Sequence, residues 1–295
     1  MKIGAIFPSC EIGNDPAVIR DCAQAAEGLG YDYILTYDHV LGAEHADREP
    51  RLMGPYDETH PFHEPFVLFA YLAGLTTTIE LCTGILILPQ RQTALVAKQA
   101  AELAVLSQNR LRLGVGTGWN HVEYTALGVP YEGRGRLLDE QIEVMRALWS
   151  EPLVDYRGDH HRIDRANILP RPSQPIPLWF GALSKIAIGR AVREGEGLIF
   201  GARPSAHLDL LADAQEKLAA EGRSTSDFGF EASLDFSLGE AAWREDLALW
   251  AERGGTHVAL RAMNTGNAMM GLEHVDYPTP QSYIAALETF MSAVR

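Results

Sequence analysis

A closed (β/α)8 barrel of the TIM type, with insertions at its C-terminal face, is the fold class this sequence predicts, on three observations. Strand-like and helix-like segments alternate about eight times along 295 residues, and alternation of this kind implies parallel strands joined by helical crossovers. The strand-like runs are apolar nearly throughout, as in Ile79 to Leu88, which is expected when both faces of a sheet are covered. Polar and glycine residues gather where these runs end, at Asp38-His39, Thr117-Gly118-Trp119 and Gly181-Ala182, and chemistry in such barrels sits at the C-terminal ends of strands. A barrel of this length commonly stands as one domain. Residues 1–295 are therefore read as a single domain with excursions at about 40–64 and 151–176.

In chain order, residues 2 to 8 form a short apolar strand that Pro8 ends. Asp15-Pro16 opens a helix as N-cap and first helical residue. Val18, Ile19, Cys22, Ala25, Ala26 and Leu29 follow at helical spacing, and Gly30 stops it. Tyr31 to Thr36 is the second strand, carrying Tyr37-Asp38-His39 at its end. Residues 40–64 have no period and are rich in Pro, Gly, His and acidic residues; a loop this long is usually functional. A helix from Pro65 to Thr77, a continuous third strand from Ile79 to Leu88 and a helix from Gln92 to Leu106 come next. Leu111, Leu113 and Val115 alternate into a fourth strand that ends in Gly114, Gly116 and Gly118 at every second position. A loop then reaches to Gly135, before an amphipathic helix from Arg136 to Trp149. The second half repeats the rhythm after a small hairpin around Asp155 to Ile163. Its strands are at 177–181, 196–201, 228–236 and 257–263, and its helices at 184–193, 205–221, 241–253 and 279–294.

Composition narrows the function classes. With 46% hydrophobic and 22% charged residues the chain has enough apolar material for a sizeable core. A formal net charge of -14 repels phosphate backbones, so nucleic acid is not expected as a partner. No apolar run approaches the roughly 20 residues of a membrane span, the N-terminus enters a strand too soon for a signal peptide, and a cytoplasmic protein is expected. Cys10, Cys22 and Cys82 are scattered and odd in number, which gives no disulfide framework.

Several residues have the chemistry of a site. His39 can give or take a proton near neutral pH, with the Asp38 carboxylate adjacent. The glycines of the fourth strand would let a ligand approach the backbone; their G-x-G-x-G spacing does not match the G-x-G-x-x-G dinucleotide fingerprint. Gly84, within Thr83-Gly84-Ile85, marks either a bulge or a position that must stay small for packing. Gly181-Ala182-Leu183-Ser184 joins a strand to a helix N-terminus, which is either a phosphate seat or an ordinary turn capped by Ser184. His60, His63 and Glu64, or His160-His161, lie in proline-rich loops that make a poor rigid metal site, and no metal is expected. Hydrolysis by paired carboxylates would call on Asp38 with Glu231 or Asp235, which leaves the glycines without a role.

Taken together, Tyr37-Asp38-His39, Thr83-Gly84-Ile85-Leu86 and Leu113-Gly114-Val115-Gly116-Thr117-Gly118-Trp119 resemble the luciferase-like monooxygenase superfamily, in its coenzyme F420-dependent oxidoreductase branch. The segment from Leu88-Pro89-Gln90-Arg91 to Leu106 and the run from Gly133 to Glu140 extend the resemblance over nearly the whole chain. It implies a barrel, commonly a homodimer, with the deazaflavin ring at its mouth. It also implies a third-strand bulge with a non-proline cis peptide behind the ring, at Gly84-Ile85. By the same resemblance Asp38 would contact the deazaflavin headgroup and His39 would lie near the reacting carbon as the catalytic acid/base. Thr117, Gly118 and Asn120 would line the cofactor side chain, and Gly181, Ala182, Leu183 and Ser184 would hold its phosphate. Trp119 stands where some sugar-phosphate- and alcohol-oxidising members carry a catalytic glutamate, which puts those reactions in doubt here. Flavin-using members often show Glu-His-His after the second strand, and Asp38-His39-Val40 favours F420 over FMN. The expected activity is hydride transfer between F420 and a small organic substrate. The rivals are an FMN-dependent monooxygenase on the same barrel, a cofactor-binding protein without turnover, and a hydrolase.

Overall fold

Two faces of one strand show how the chain is layered. Along Leu111–Gly116 the odd residues Leu111, Leu113 and Val115 join the large core packed under the helices, while the even ones, Arg112, Gly114 and Gly116, turn the other way. The strand period of two separates them. A computed structural model describes residues 1–181 and 183–295. In it the strands form a closed ring of eight parallel members with helices outside, as the alternation predicted.

β1 (Lys2–Ile6) leads to α1 (Pro16–Gly28), and β2 (Tyr33–Thr36) to α2 (Pro65–Ala73). β3 (Glu80–Thr83), resumed after a break as β4 (Leu86–Ile87), leads to α3 (Thr93–Leu106). β5 (Leu111–Gly116) is followed by α4 (His121–Ala126), α5 (Arg134–Ser150) and the antiparallel hairpin of β6 (Val154–Arg157) and β7 (Arg162–Ala166). Then come β8 (Leu178–Gly181) with α6 (Lys185–Glu194), β9 (Gly197–Ile199) with α7 (Leu208–Ala220), and β10 (Gly229–Asp235) with α8 (Gly239–Glu252). β11 (His257–Arg261), the short α9 (Asn267–Met270) and α10 (Pro280–Val294) close the chain. β1 pairs with both β2 and β11, and the ring closes where β5 meets β3, β4 and β8.

Local chemistry explains many of the boundaries. Asp15 caps α1 through the Ala17 N–H at 2.8 Å, with Pro16 at the first position. Thr279 and Ser282 form a reciprocal capping box at α10. Most segments begin or end one to four residues from the positions expected of the sequence.

Three departures are larger. The third strand is not continuous. Cys82 pairs with Arg112 but Leu86 pairs with Val115, so four steps on one strand face three on the other, which is a one-residue bulge at 83–85. An apolar run reports burial and not register, which is why the break was invisible. Residues 121–126, read as loop, form α4, started by Asn120, whose side chain accepts from the N–H groups of Val122 and Glu123. Six residues are too few to show a helical period. The four-residue α9 escaped for the same reason.

The bulge explains the glycines. A Cβ on Gly114 would lie 2.0 Å from the Thr83 carbonyl oxygen, and one on Gly116 would lie 2.8 Å from Ile85 Cδ1. One on Gly118, whose φ is +61°, would meet Ile87 Cγ2 at 2.8 Å. The reading of these glycines as space for a ligand is thus corrected at 114 and 116, where the displaced neighbouring strand fills it. The Thr83 hydroxyl also donates to the Gly114 carbonyl at 2.7 Å.

At the opposite end of the barrel interior Arg112 is buried. It donates to Glu231 at 2.7 Å and lies 4.4 Å and 4.2 Å from the ring centres of Tyr33 and Trp179. His257 packs edge-on against Trp179, 4.7 Å between ring centres. Burial, and then the Arg112 charge, push its imidazole down from 6.5 to about 2.

Two outcomes follow for stability. Gly114→Ala is expected to cost at least about 2 kcal/mol in denaturant unfolding. Gly28→Ala, in α1 with open space at its Cβ, should be neutral or stabilising by up to about 1 kcal/mol. Equal effects at the two sites would contradict the packing account. The unfolded chain binds a proton at His257 below about pH 6.5 and the folded chain does not, so this stability is present above that pH and lost as pH falls. Between pH 7 and 5 the wild type should lose about 2 kcal/mol more than His257→Asn; parallel pH profiles would remove the assignment.

Candidate active site

The bulge and the ends of β2, β5 and β11 enclose a cavity of about 260 Å³. Gly84, Ile85 and Ile87 form one wall, Asp38 and His39 a second, and Tyr56, Trp119 and Met269 much of the rest. The bulge puts Gly84 and Ile85 on the same wall, where a regular strand would turn one of them away. The Gly84–Ile85 peptide is cis, as the resemblance implied. Below the bulge, Gly181 receives the Ile85 side chain, since its Cβ would stand 3.1 Å from Ile85 Cγ2.

Asp38 lines the cavity and is buried, and its carboxylate is also bound by the protein. Oδ2 accepts from the Ile87 N–H at 2.9 Å and from Arg91 Nε at 3.3 Å; Oδ1 accepts from Arg91 Nη2 at 2.7 Å. Arg91 also donates to Glu64 at 2.7 Å, and Glu64 caps α2 through the Val67 N–H. Burial pushes the Asp38 carboxyl above its ordinary range, against the pull of Arg91 and the Ile87 N–H. Asp38 therefore fastens the end of β2 to the far side of the bulge.

His39 is held by charge behind it and rings around it. Its Nδ1 lies 3.5 Å from Glu123 Oε1. The rings of Phe62, Tyr56 and Trp119 have centres 4.8, 4.9 and 5.6 Å from its own. Glu123 has no exposed surface. It accepts from the Val40 and Leu41 N–H groups at 2.7 and 3.0 Å and from Gln90 Nε2 at 3.2 Å. Burial alone would raise this carboxyl, but bonds from His39, Leu41 and Gln90 hold it below its ordinary value. An ionised Glu123 favours a proton on Nδ1, the ring nitrogen nearest to it.

The remaining expected residues fall into groups. Gly118 lines the cavity beside Trp119. Thr117 and Asn120 do not line it: the Thr117 carbonyl accepts from the Tyr124 hydroxyl at 2.6 Å, and Asn120 caps α4. Leu183 is exposed, and Ser184 caps α6 through the Ala187 N–H at 3.3 Å. Ala182 lies outside the described residues. The carboxylates considered for hydrolysis are each tied to an arginine, Asp38 to Arg91, Glu231 to Arg112 and Asp235 to Arg261. Among the described residues no group of three or more His, Cys, Asp or Glu is placed to hold a metal, and no helix is long and apolar enough to cross a membrane. Glu123, Tyr56 and Phe62 were missed from sequence. The available signal was Asn120-x-x-Glu123, the spacing of a helix start with an acid at its third residue.

The model of one family, described as luciferase-like monooxygenase, matches residues 1–281. The chain belongs to that family. This luciferase-like chain is 36% identical over 226 residues to an uncharacterized protein of Mycobacterium tuberculosis, covering 75% of this chain and 78% of that one. It is 30% identical over 247 residues to the F420-dependent glucose-6-phosphate dehydrogenase of Kineococcus radiotolerans, covering 80% and 69%. The solved structure of an F420-dependent secondary alcohol dehydrogenase in complex with an F420-acetone adduct superposes with a TM-score of 0.76 at 18% identity. That superposition covers 100% of this chain and 99% of the other, and shows a shared fold.

The arginine clamp gives a direct test in this luciferase-like barrel. Arg91→Met leaves the buried Asp38 carboxylate without its cation and should cost about 3–5 kcal/mol in denaturant unfolding. Adding Asp38→Asn should recover part of that loss. A double variant no more stable than Arg91→Met alone would show that the two residues do not act as a pair.

Proposed function

We propose that the chain is a coenzyme F420-dependent oxidoreductase, passing a hydride between the deazaflavin and a small organic substrate. The observation that carries this reading is His39. Its ring is backed by the buried Glu123, and it lines, together with Gly84, Ile85 and Ile87, one cavity at the strand ends. A planar ring system fits the wall of Gly84, Ile85 and Ile87, because Leu35 packs where a Gly84 side chain would stand and Ile85 is seated into the hollows above Gly116 and Gly181. The relatives named as F420-dependent dehydrogenases support the choice of cofactor.

When bound, the deazaflavin supplies the hydride chemistry, while the protein contributes position and electrostatics. Asp38 and Arg91 keep the bulge in place against the end of β2. Gly118 lets the chain turn at the rim with a backbone that L side chains rarely adopt. His39 Nε2 is aimed at the substrate oxygen, to take or give the proton that accompanies hydride transfer. Glu123 stabilises the imidazolium formed when His39 holds that proton. Tyr56, Phe62 and Trp119 keep water from the imidazole and fix its plane. Leu183 and Ser184, with Ala182 and Gly181, remain the proposed seat of the cofactor phosphate at the start of α6.

Titration of cofactor-free protein with F420 and, separately, with FMN tests the cofactor, with binding expected for F420. Tighter binding of FMN, with O2-dependent turnover, would replace this reading by that of a flavin monooxygenase. His39→Ala should lower kcat by about 10²–10⁴-fold with F420 affinity unchanged. Unchanged turnover in a variant that still binds F420 would remove His39 from the chemistry.

A further inference from the structure

A second chamber of about 240 Å³ lies beside the main cavity, and nothing above assigns it a role. The two share Gly201, Ser233, Arg261 and Met270 as walls. Beyond them the second chamber is lined by Ala202, Ala206, Leu234, Leu238 and Leu272, so its surface is mainly hydrocarbon. Of the four shared residues Met270 lies on the four-residue α9, which is flanked by Gly266 and Gly271 in left-handed conformations. Methionine is unbranched and adjusts its shape readily, so this wall can yield to a ligand that crosses it.

We propose that the substrate is an uncharged molecule carrying an apolar chain or ring, with its reacting end beside His39 and its apolar part in this second chamber. The placement of the reacting end rests on the oxidoreductase reading above; the occupancy of the chamber does not. Charge decides the chemical class. Two cations border the chamber, Arg203 and Arg261. Arg203 grips the buried Asp246 through two bonds of 3.1 Å. Arg261 donates to Asp235, to Asn267 and to the Thr265 carbonyl. A phosphate or carboxylate on the ligand would compete with Asp235 and Asp246 for arginines that are already paired, and would gain little from them. A neutral apolar group meets no such competition and replaces water against Leu234, Leu238, Met270 and Leu272.

Linear methyl ketones from propanone to 2-decanone test the proposal, because they keep one polar head and vary only the chain. Their dissociation constants are read from tryptophan fluorescence of the full chain, with and without F420. Affinity should rise about fourfold per methylene and then level off as the chamber fills. Ala202→Phe, which narrows the chamber without lining the main cavity, should abolish that rise and leave propanone binding unchanged. Leu272→Asn should weaken only the longer ketones, and decides the matter if Ala202→Phe fails to fold. Affinity independent of chain length, or a rise that survives these substitutions, would overturn the proposal. If the rise is present but F420 does not bind, the chamber stands and the cofactor reading falls. If F420 binds but affinity is flat, the reverse holds.

Discussion

One extra residue in the third barrel strand governs the site. The bulge at Thr83-Gly84-Ile85 swings main chain toward the barrel axis, and a neighbouring strand with side chains would not admit it. β5 makes room by carrying glycine at every inward position from 114, with Gly118 continuing the series at the rim. β8 does the same with Gly181. The vacated volume is not an open pore. It is filled by the Thr83 carbonyl, Ile85 and Ile87, of which the two isoleucines line the cavity. A run of glycines is thus tied to the cavity wall through the strand it accommodates.

Buried charge then fixes this wall relative to His39. Asp38 and His39 are adjacent, yet they face different partners. Asp38 reaches across to Ile87 N–H and Arg91, fastening β2 to the bulge. His39 turns to Glu123, which also binds the Val40 and Leu41 N–H groups at the start of the long loop. Both carboxylates are buried, but the balance differs. Burial prevails at Asp38 and raises its carboxyl, whereas the hydrogen bonds prevail at Glu123 and lower it. At the far end of the barrel Arg112 and Glu231 pair between Tyr33 and Trp179, well away from the mouth. A charged pair there supports the barrel, while the charges at the mouth orient the site.

The barrel was legible because its signals are local. Periods of two and 3.6, Asp15-Pro16 before a helix and glycines after one are all visible within a few residues. Asp38, His39 and Gly118 could be chosen as site residues because they sit at strand ends, and Gly84 and Ile85 because the resemblance implied a bulge there; all five line the cavity. What could not be read depends on register or on distant pairing. The bulge shows only when β3 and β4 are set against β5. Glu123 stands 84 positions from His39, and no local pattern joins them. Thr117 and Asn120 occupy suitable positions in sequence, but a hydrogen bond to Tyr124 and the cap of α4 engage them. The second chamber draws its walls from segments around residues 201–206, 233–238, 261 and 270–272, and hydrophobicity alone does not bring these together.

The central claim is that a deazaflavin ring rests on the bulged wall with its reacting carbon facing the His39 side of the cavity. A crystal structure of the protein with F420 tests it most directly. The account predicts ring density lying flat against Gly84–Ile85, with a substrate or product oxygen within hydrogen-bond reach of His39 Nε2, about 2.6–3.2 Å. Ring density elsewhere on the molecule, or a cavity left without density at saturating F420, would contradict it.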